Sequence, residues 1–170
     1  MSGAGLEIER KYLIIMPPAA FLAAGEVWEI TQTYLKAEEG NRRVREIRTA
    51  AGTTYVYTAK QRINALTCRE EEREIDRETY LAYLDEARPD SAPVCKTRYR
   101  VPHAGHLLEI DVYPFWKDTA VLEVELTNEE DIPLLPEQIR ILREVTGEAL
   151  YKNTNIARFL REHPGEPLPL

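Results

Sequence analysis

The stretch "LEIERKYLI", residues 6–14, alternates: Leu6, Ile8, Tyr12 and Ile14 fall on one side of an extended chain, and Glu7, Glu9 and Lys11 on the other. One face is made for packing, while the other lines up two carboxylates and an ammonium. The acidic form returns late in the chain. "LLEIDVY" (107–113) sets Glu109 and Asp111 against Leu108, Ile110 and Val112, and "VLEVELT" (121–127) sets Glu123 and Glu125 against Leu122, Val124 and Leu126. Other stretches are basic: "RRVRE" (42–46) aligns Arg43 with Arg45, "YTAKQR" (57–62) aligns Lys60 with Arg62, and "CKTRYRV" (95–101) aligns Lys96, Arg98 and Arg100.

A single charged strand face is by default a solvated one, because antiparallel sheets commonly keep one face wet. Whole strands of one sign are different, since like charges on neighbouring residues repel unless something of opposite sign lies between them. Eight period-two segments, near 6–15, 27–36, 42–49, 53–61, 68–75, 94–101, 106–113 and 119–127, are separated by short turn-prone stretches. This predicts a mainly β, α+β fold in which an eight-stranded antiparallel barrel turns its charged faces inward, with a few helices covering the apolar outside. Clustered carboxylates inside such a tunnel call for hard divalent cations such as Mg2+ or Mn2+, and the basic strands call for an anion. A polyphosphate chain meets both demands.

Helical patterns are few. "PPAAFLAAG" (17–25), "DRETYLAYLDEA" (76–87, with Asp76 as N-cap), "EQIRILREVTG" (137–147) and "NTNIARFLRE" (153–162, capped by Asn153 or Thr154) are expected as helices, and the proline-rich end from about residue 163 as a loose tail. The 170 residues suit one domain, 1–170. The net charge of −7 disfavours binding to a nucleic-acid duplex or an anionic membrane. No signal-like or membrane-spanning run is evident, so a cytoplasmic protein is expected. Cys68 and Cys95 lack metal or disulfide spacing and are expected to be at least half-buried. Tyr55 and Tyr57 are expected to pack under a helix.

In their order along the chain, these blocks resemble the CYTH domain, the triphosphate tunnel metalloenzymes. Glu7-Ile8-Glu9-Arg10-Lys11 looks like the family's ExExK signature. "ITQTYL" (30–35), "RVR" (43–45), "TAKQR" (58–62), "REEERE" (69–74), "KTRYRV" (96–101), "LEIDVY" (108–113), "LEVELT" (122–127) and "REVTGEALYKN" (143–153) follow in family order. The resemblance implies a metal-dependent enzyme acting on a triphosphate. Family activities range over inorganic, thiamine and RNA 5′-triphosphatases and class IV adenylate cyclases.

The resemblance also implies roles for residues. Glu7, Glu9, Glu109, Asp111, Glu123 and Glu125 would lie on the metal side, and Lys11, Arg43, Arg45, Lys60, Lys96, Arg98 and Arg100 would grip phosphate, joined by Arg62 on the face of Lys60. Lys152 is a candidate phosphate or gating contact. In "CREEEREI" (68–75) either Glu70/Glu72/Glu74 or Arg69/Glu71/Arg73 faces inward; the former is favoured because it leaves Ile75 outside, and it adds Glu72 to the metal set. Catalysis is expected to centre on Glu7, Glu9, Lys11, Arg43, Arg45 and Glu123. Inorganic tripolyphosphate is the leading substrate. A cyclase forming cyclic AMP from ATP and a non-catalytic polyphosphate-binding module are the alternatives, and a homodimer is left open.

Overall fold

The computed structural model describes residues 3–170. Period-two alternation becomes strand at each of the eight expected places: β1 (Gly3–Ile15), β2 (Glu26–Leu35), β3 (Asn41–Thr49), β4 (Gly52–Arg62), β5 (Thr67–Ile75), β6 (Val94–His103), β7 (His106–Val112) and β8 (Thr119–Glu125). All pairings are antiparallel, in the order β5-β4-β3-β2-β6-β7-β8-β1, and β1 also pairs with β5, so the sheet closes into a barrel. Tight turns carry the required backbone. Ala104 and Gly105 both take positive φ in the two-residue β6–β7 hairpin. Gly40, at φ 64°, has no room for a side chain, because an added Cβ would collide with the carbonyl oxygen of Lys60.

Helix α1 (Ala19–Ala23) lays Leu22 on the outer apolar faces of β1, β6, β7 and β8. Helix α2 (Arg77–Leu84) is capped as expected, with the Asp76 side chain accepting from the Thr79 amide at 2.7 Å. Tyr55 and Tyr57 pack beneath it against Tyr80 and Tyr83, with ring centroids 4.7 and 5.1 Å apart. Helix α3 (Asn153–Glu162) follows a 3-10 turn at Ala149–Tyr151 and starts without a side-chain cap, so neither Asn153 nor Thr154 caps it.

The helix expected at 137–147 is not formed. Residues Ile141–Glu144 make a short strand, β9, paired with β1 at Tyr12–Ile14. The cause lies in β1, which outruns its pairing with β5 at Ile8 and leaves backbone groups that need partners. The supposed apolar stripe is not one face either, since Ile139 and Val145 are buried and Leu142 is half exposed.

The terminal stretch also differs from expectation. Leu168 is 1% exposed and joins a cluster with Leu13, Tyr34, Val94, Tyr113, Val121 and Ile156 that fills one side of a barrel end. The Trp116 indole donates to the Leu168 carbonyl at 2.9 Å, and the Tyr151 hydroxyl donates to that of Pro169 at 3.0 Å. Replacing Leu168 by Ala should cost about 2–5 kcal/mol, read in thermal denaturation as a drop of roughly 2–4 °C per kcal/mol. A loose tail would give no change. Cys68 is buried as expected, whereas Cys95 is exposed on the outer wall. Among the described residues, no helix is long and apolar enough to cross a membrane.

Candidate active site

Register decides which side chains meet inside the barrel. Glu7, Glu9 and Lys11 share the inner face of β1, and pairing carries that face around the sheet: Glu9 opposes Glu125 and Lys11 opposes Glu123 across β8, while Glu109 opposes Glu123 from β7. Arg98 opposes Asp111 and Arg100 opposes Glu109 from β6. On the other wall Arg45 opposes Gln32, Arg43 opposes Thr58, and Thr58 and Lys60 oppose Glu72 and Glu70. The open alignment on β5 therefore resolves to Glu70, Glu72 and Glu74 inward, with Arg73 outside over the Tyr57 ring.

Many of these charges are paired with one another. Asp111, fully buried, accepts from Lys96 at 2.6 Å and from Arg98 at 2.7 and 2.8 Å. Arg98 also reaches Glu123 at 3.0 Å and Glu109 at 3.1 Å. The Lys11 ammonium lies 3.1 Å from Glu123 and donates to the Tyr151 carbonyl at 3.2 Å. Lys60 bridges Glu7 and Glu70, Arg45 meets Glu72 at 2.7 Å, and Arg100 meets Glu109 and Glu26 while stacking on Trp28. Asp111, Lys96, Arg98 and Glu123 thus form a buried network across the β6–β7–β8 wall.

Two groups are left over among the described residues. The ion pairs use Glu7, Glu70, Glu72, Glu109, Asp111 and Glu123; besides the exposed Glu74 near the end of β5, they leave the cross-strand neighbours Glu9 and Glu125 without a cation. Burial, then Glu123 and Glu7, push the Glu9 carboxyl up to about 7 against the pull of Lys11. Burial with Glu7, Glu109 and Glu70 raises that of Glu125 as well. By contrast Lys11, Arg98 and Lys96 overcome burial and hold Glu123 well below the carboxylate range.

Arg43, Arg62 and Lys152 stand in no ion pair, and all three line a cavity of about 210 Å³ that Glu9, Lys11 and Lys60 also border. The buried Nε atoms of Arg43 and Arg45 have no hydrogen-bond partner. Burial and the neighbouring Arg43 lower the pKa of Arg45 to about 10 despite Glu72. Cations short of counter-charge around a cavity make an anion site, and unpaired carboxylates beside it supply hard oxygen donors.

The donor chemistry of Glu7, Glu9 and Glu125 fits a divalent cation, because crowded carboxylates are relieved by one. No three Asp, Glu, His or Cys residues among those described already converge as a metal cage. The crowding gives a stability prediction for metal-free protein. A carboxyl raised from 4.5 to about 7 binds its proton more tightly folded than unfolded, so its contribution to stability falls as pH rises through that window. In chelator, Glu9→Gln should raise the melting temperature by a few degrees at about pH 8 and leave it unchanged at about pH 4. An equal effect at both pH values would contradict the crowding.

The structure brings Glu7, Glu9, Lys11, Arg43, Lys60, Arg62 and Lys152 to or beside one cavity, while Arg100 and Glu109 lie farther along the tunnel toward Trp28. Tyr34, Asn41, Thr58, Asn153 and Thr154 also line that cavity. Charge patterning does not mark these uncharged residues; only the inward parity of β2, β3 and β4 could have found the first three.

No family model matches the chain, and no curated protein matches it. Among solved structures it is similar to the inorganic triphosphatase NE1496, at 29% identity and a TM-score of 0.55 over 89% of this chain and 94% of that one. It also resembles HpAC1 from Hippeastrum, for which a dominant triphosphatase activity is described, at 17% identity and TM-score 0.53 over 73% and 81% of the two chains. A protein from Pyrococcus furiosus aligns at 20% identity and TM-score 0.53 over 73% and 82%. At these identities the last two share the fold alone. All three support the tunnel fold expected from the resemblance to the CYTH domain.

Proposed function

We propose that this chain hydrolyses a phosphoanhydride bond of a triphosphate, with inorganic tripolyphosphate as the preferred substrate and Mg2+ or Mn2+ as cofactor. The observation that carries this reading is the cavity lined by Arg43, Arg62 and Lys152, three cations without carboxylate partners, beside the unpaired pair Glu9 and Glu125. The likeness to an inorganic triphosphatase over nearly the whole chain supports it.

Phosphoryl transfer asks for positioning and charge neutralisation more than for a covalent nucleophile. Arg43, Lys60, Arg62 and Lys152 hold the phosphate oxygens from the basic side, and Lys11, fixed by Glu123 and the Tyr151 carbonyl, presents its ammonium to the same space. Arg45, partly short of counter-charge, stabilises negative charge growing on the leaving diphosphate. Glu7, Glu9 and Glu125 would hold the divalent cation, which supplies Lewis-acid charge to the substrate oxygens. Burial of the wall removes competing water and strengthens each of these interactions.

The test offers tripolyphosphate and ATP side by side, with Mg2+ and with Mn2+, and reads orthophosphate and cyclic AMP separately. Orthophosphate chiefly from tripolyphosphate is expected. Cyclic AMP formed from ATP faster than orthophosphate would replace this reading with a cyclase, and tight binding without product would replace it with a binding module.

A further inference from the structure

Tyr34 lies on the inner face of β2, 4% exposed, with its open side on the cavity. Two residues earlier on the same face is Gln32, fully buried, opposite Arg45 on β3 and Val94 on β6. The Gln32 amide nitrogen donates to the Tyr34 hydroxyl oxygen at 3.2 Å. Its carbonyl oxygen has no partner, and neither has the Nε of Arg45 across the pair. Arg45 lies opposite Gln32 in register, and a buried guanidinium beside the amide favours a carbonyl oxygen over a second donor, which leaves the NH2 group for Tyr34.

A phenol that accepts from Gln32 keeps its own proton free. Among the described residues no side chain or carbonyl takes that proton; the space beyond it is bordered by the cations Arg43, Lys60, Arg62 and Lys152, which only donate, together with Glu9 and the uncharged Asn41, Thr58, Asn153 and Thr154, none of which bonds the phenol. A fixed O–H among cations is matched by a ligand atom that only accepts, and an ionised phosphate oxygen is such an atom.

We propose that Tyr34 is a substrate-binding residue donating its hydroxyl proton to a phosphate oxygen, and that Gln32 is the positioning residue that aims this proton into the cavity. The inference rests on the triphosphate reading and adds two uncharged residues to it.

The test is a double-mutant cycle with Tyr34→Phe and Gln32→Met, titrating tripolyphosphate with Mg2+ by calorimetry and following turnover in parallel. Loss of a hydrogen bond to a charged oxygen should weaken binding about 10- to 100-fold in Tyr34→Phe, which keeps the packed ring. Gln32→Met should weaken it by a similar factor, and the double variant should bind no worse than the weaker single one. Gln32→Glu keeps the shape and the neighbourhood of Arg45 but cannot donate, so it draws the phenol proton to itself and should weaken binding too. Tyr34→Phe binding within about twofold of wild type overturns the assignment of Tyr34. Losses that multiply in the double variant overturn the positioning role of Gln32. Wild-type protein that neither binds nor hydrolyses tripolyphosphate overturns the triphosphate reading itself, a result separable from the other two.

Discussion

Arg45→Met should make the ligand-free protein more stable and nearly inactive at once. Arg45 is 5% exposed, its Nε has no partner, and burial together with Arg43 and Arg98 disfavours its charge to the point that its pKa falls to about 10. Glu72, its one ionic partner, is partly solvated and can return to water when the arginine is gone. Methionine fills much of the same volume and carries no charge to bury, so the melting temperature should rise by a few degrees. Removing a preorganised donor from a site of this kind typically costs about 10²- to 10³-fold in turnover. Steady-state kinetics on tripolyphosphate and a thermal melt in chelator check the two halves. A destabilised variant would mean that Arg45 is a structural brace instead.

Arg98→Met should do the opposite to stability. Arg98 sits in the same tunnel and looks equivalent in sequence, but its guanidinium is committed to Asp111, Glu123 and Glu109, two of which are buried. Removing it leaves those carboxylates inside the wall with Lys96 beside Asp111, Lys11 beside Glu123 and Arg100 beside Glu109 as their remaining cations. Breaking a buried pair by removing one partner costs about 3–5 kcal/mol, which for a chain of this size lowers the melting temperature by roughly 2–4 °C per kcal/mol. A variant that melts like wild type but loses substrate binding would make Arg98 a phosphate-gripping residue and not a brace.

These two arginines also mark how far the sequence could be read. Strict alternation in "LEIERKYLI" and its later counterparts located all eight barrel strands and the inward parity of Glu7, Glu9, Lys11, Arg43 and Lys60, because a side-chain period of two leaves no freedom once one face is apolar. The alternation does not tell which inward cation finds a carboxylate. That depends on strand order and stagger, which bring Asp111 to Lys96 and Arg98 while leaving Arg43 free. Strand β9 was hidden for a related reason: its pairing is dictated by the unpaired edge of β1, more than a hundred residues away, and not by its own residues. Leu168 reads as part of a proline-rich tail until Trp116 and Tyr151 are seen to hold the backbone around it. Tyr34 and Gln32 carry no charge, so only their parity with Arg43 and Arg45 places them in the site.

The proposed hydrolysis of a triphosphate rests on unpaired cations and crowded carboxylates meeting in one tunnel. It is tested most directly by following tripolyphosphate by phosphorus NMR after adding the wild-type protein with Mg2+ or Mn2+. The predicted result is conversion to diphosphate and orthophosphate, abolished by chelator and by Arg45→Met while both proteins remain folded. An unchanged tripolyphosphate spectrum with folded wild-type protein and either metal would rule out a tripolyphosphatase.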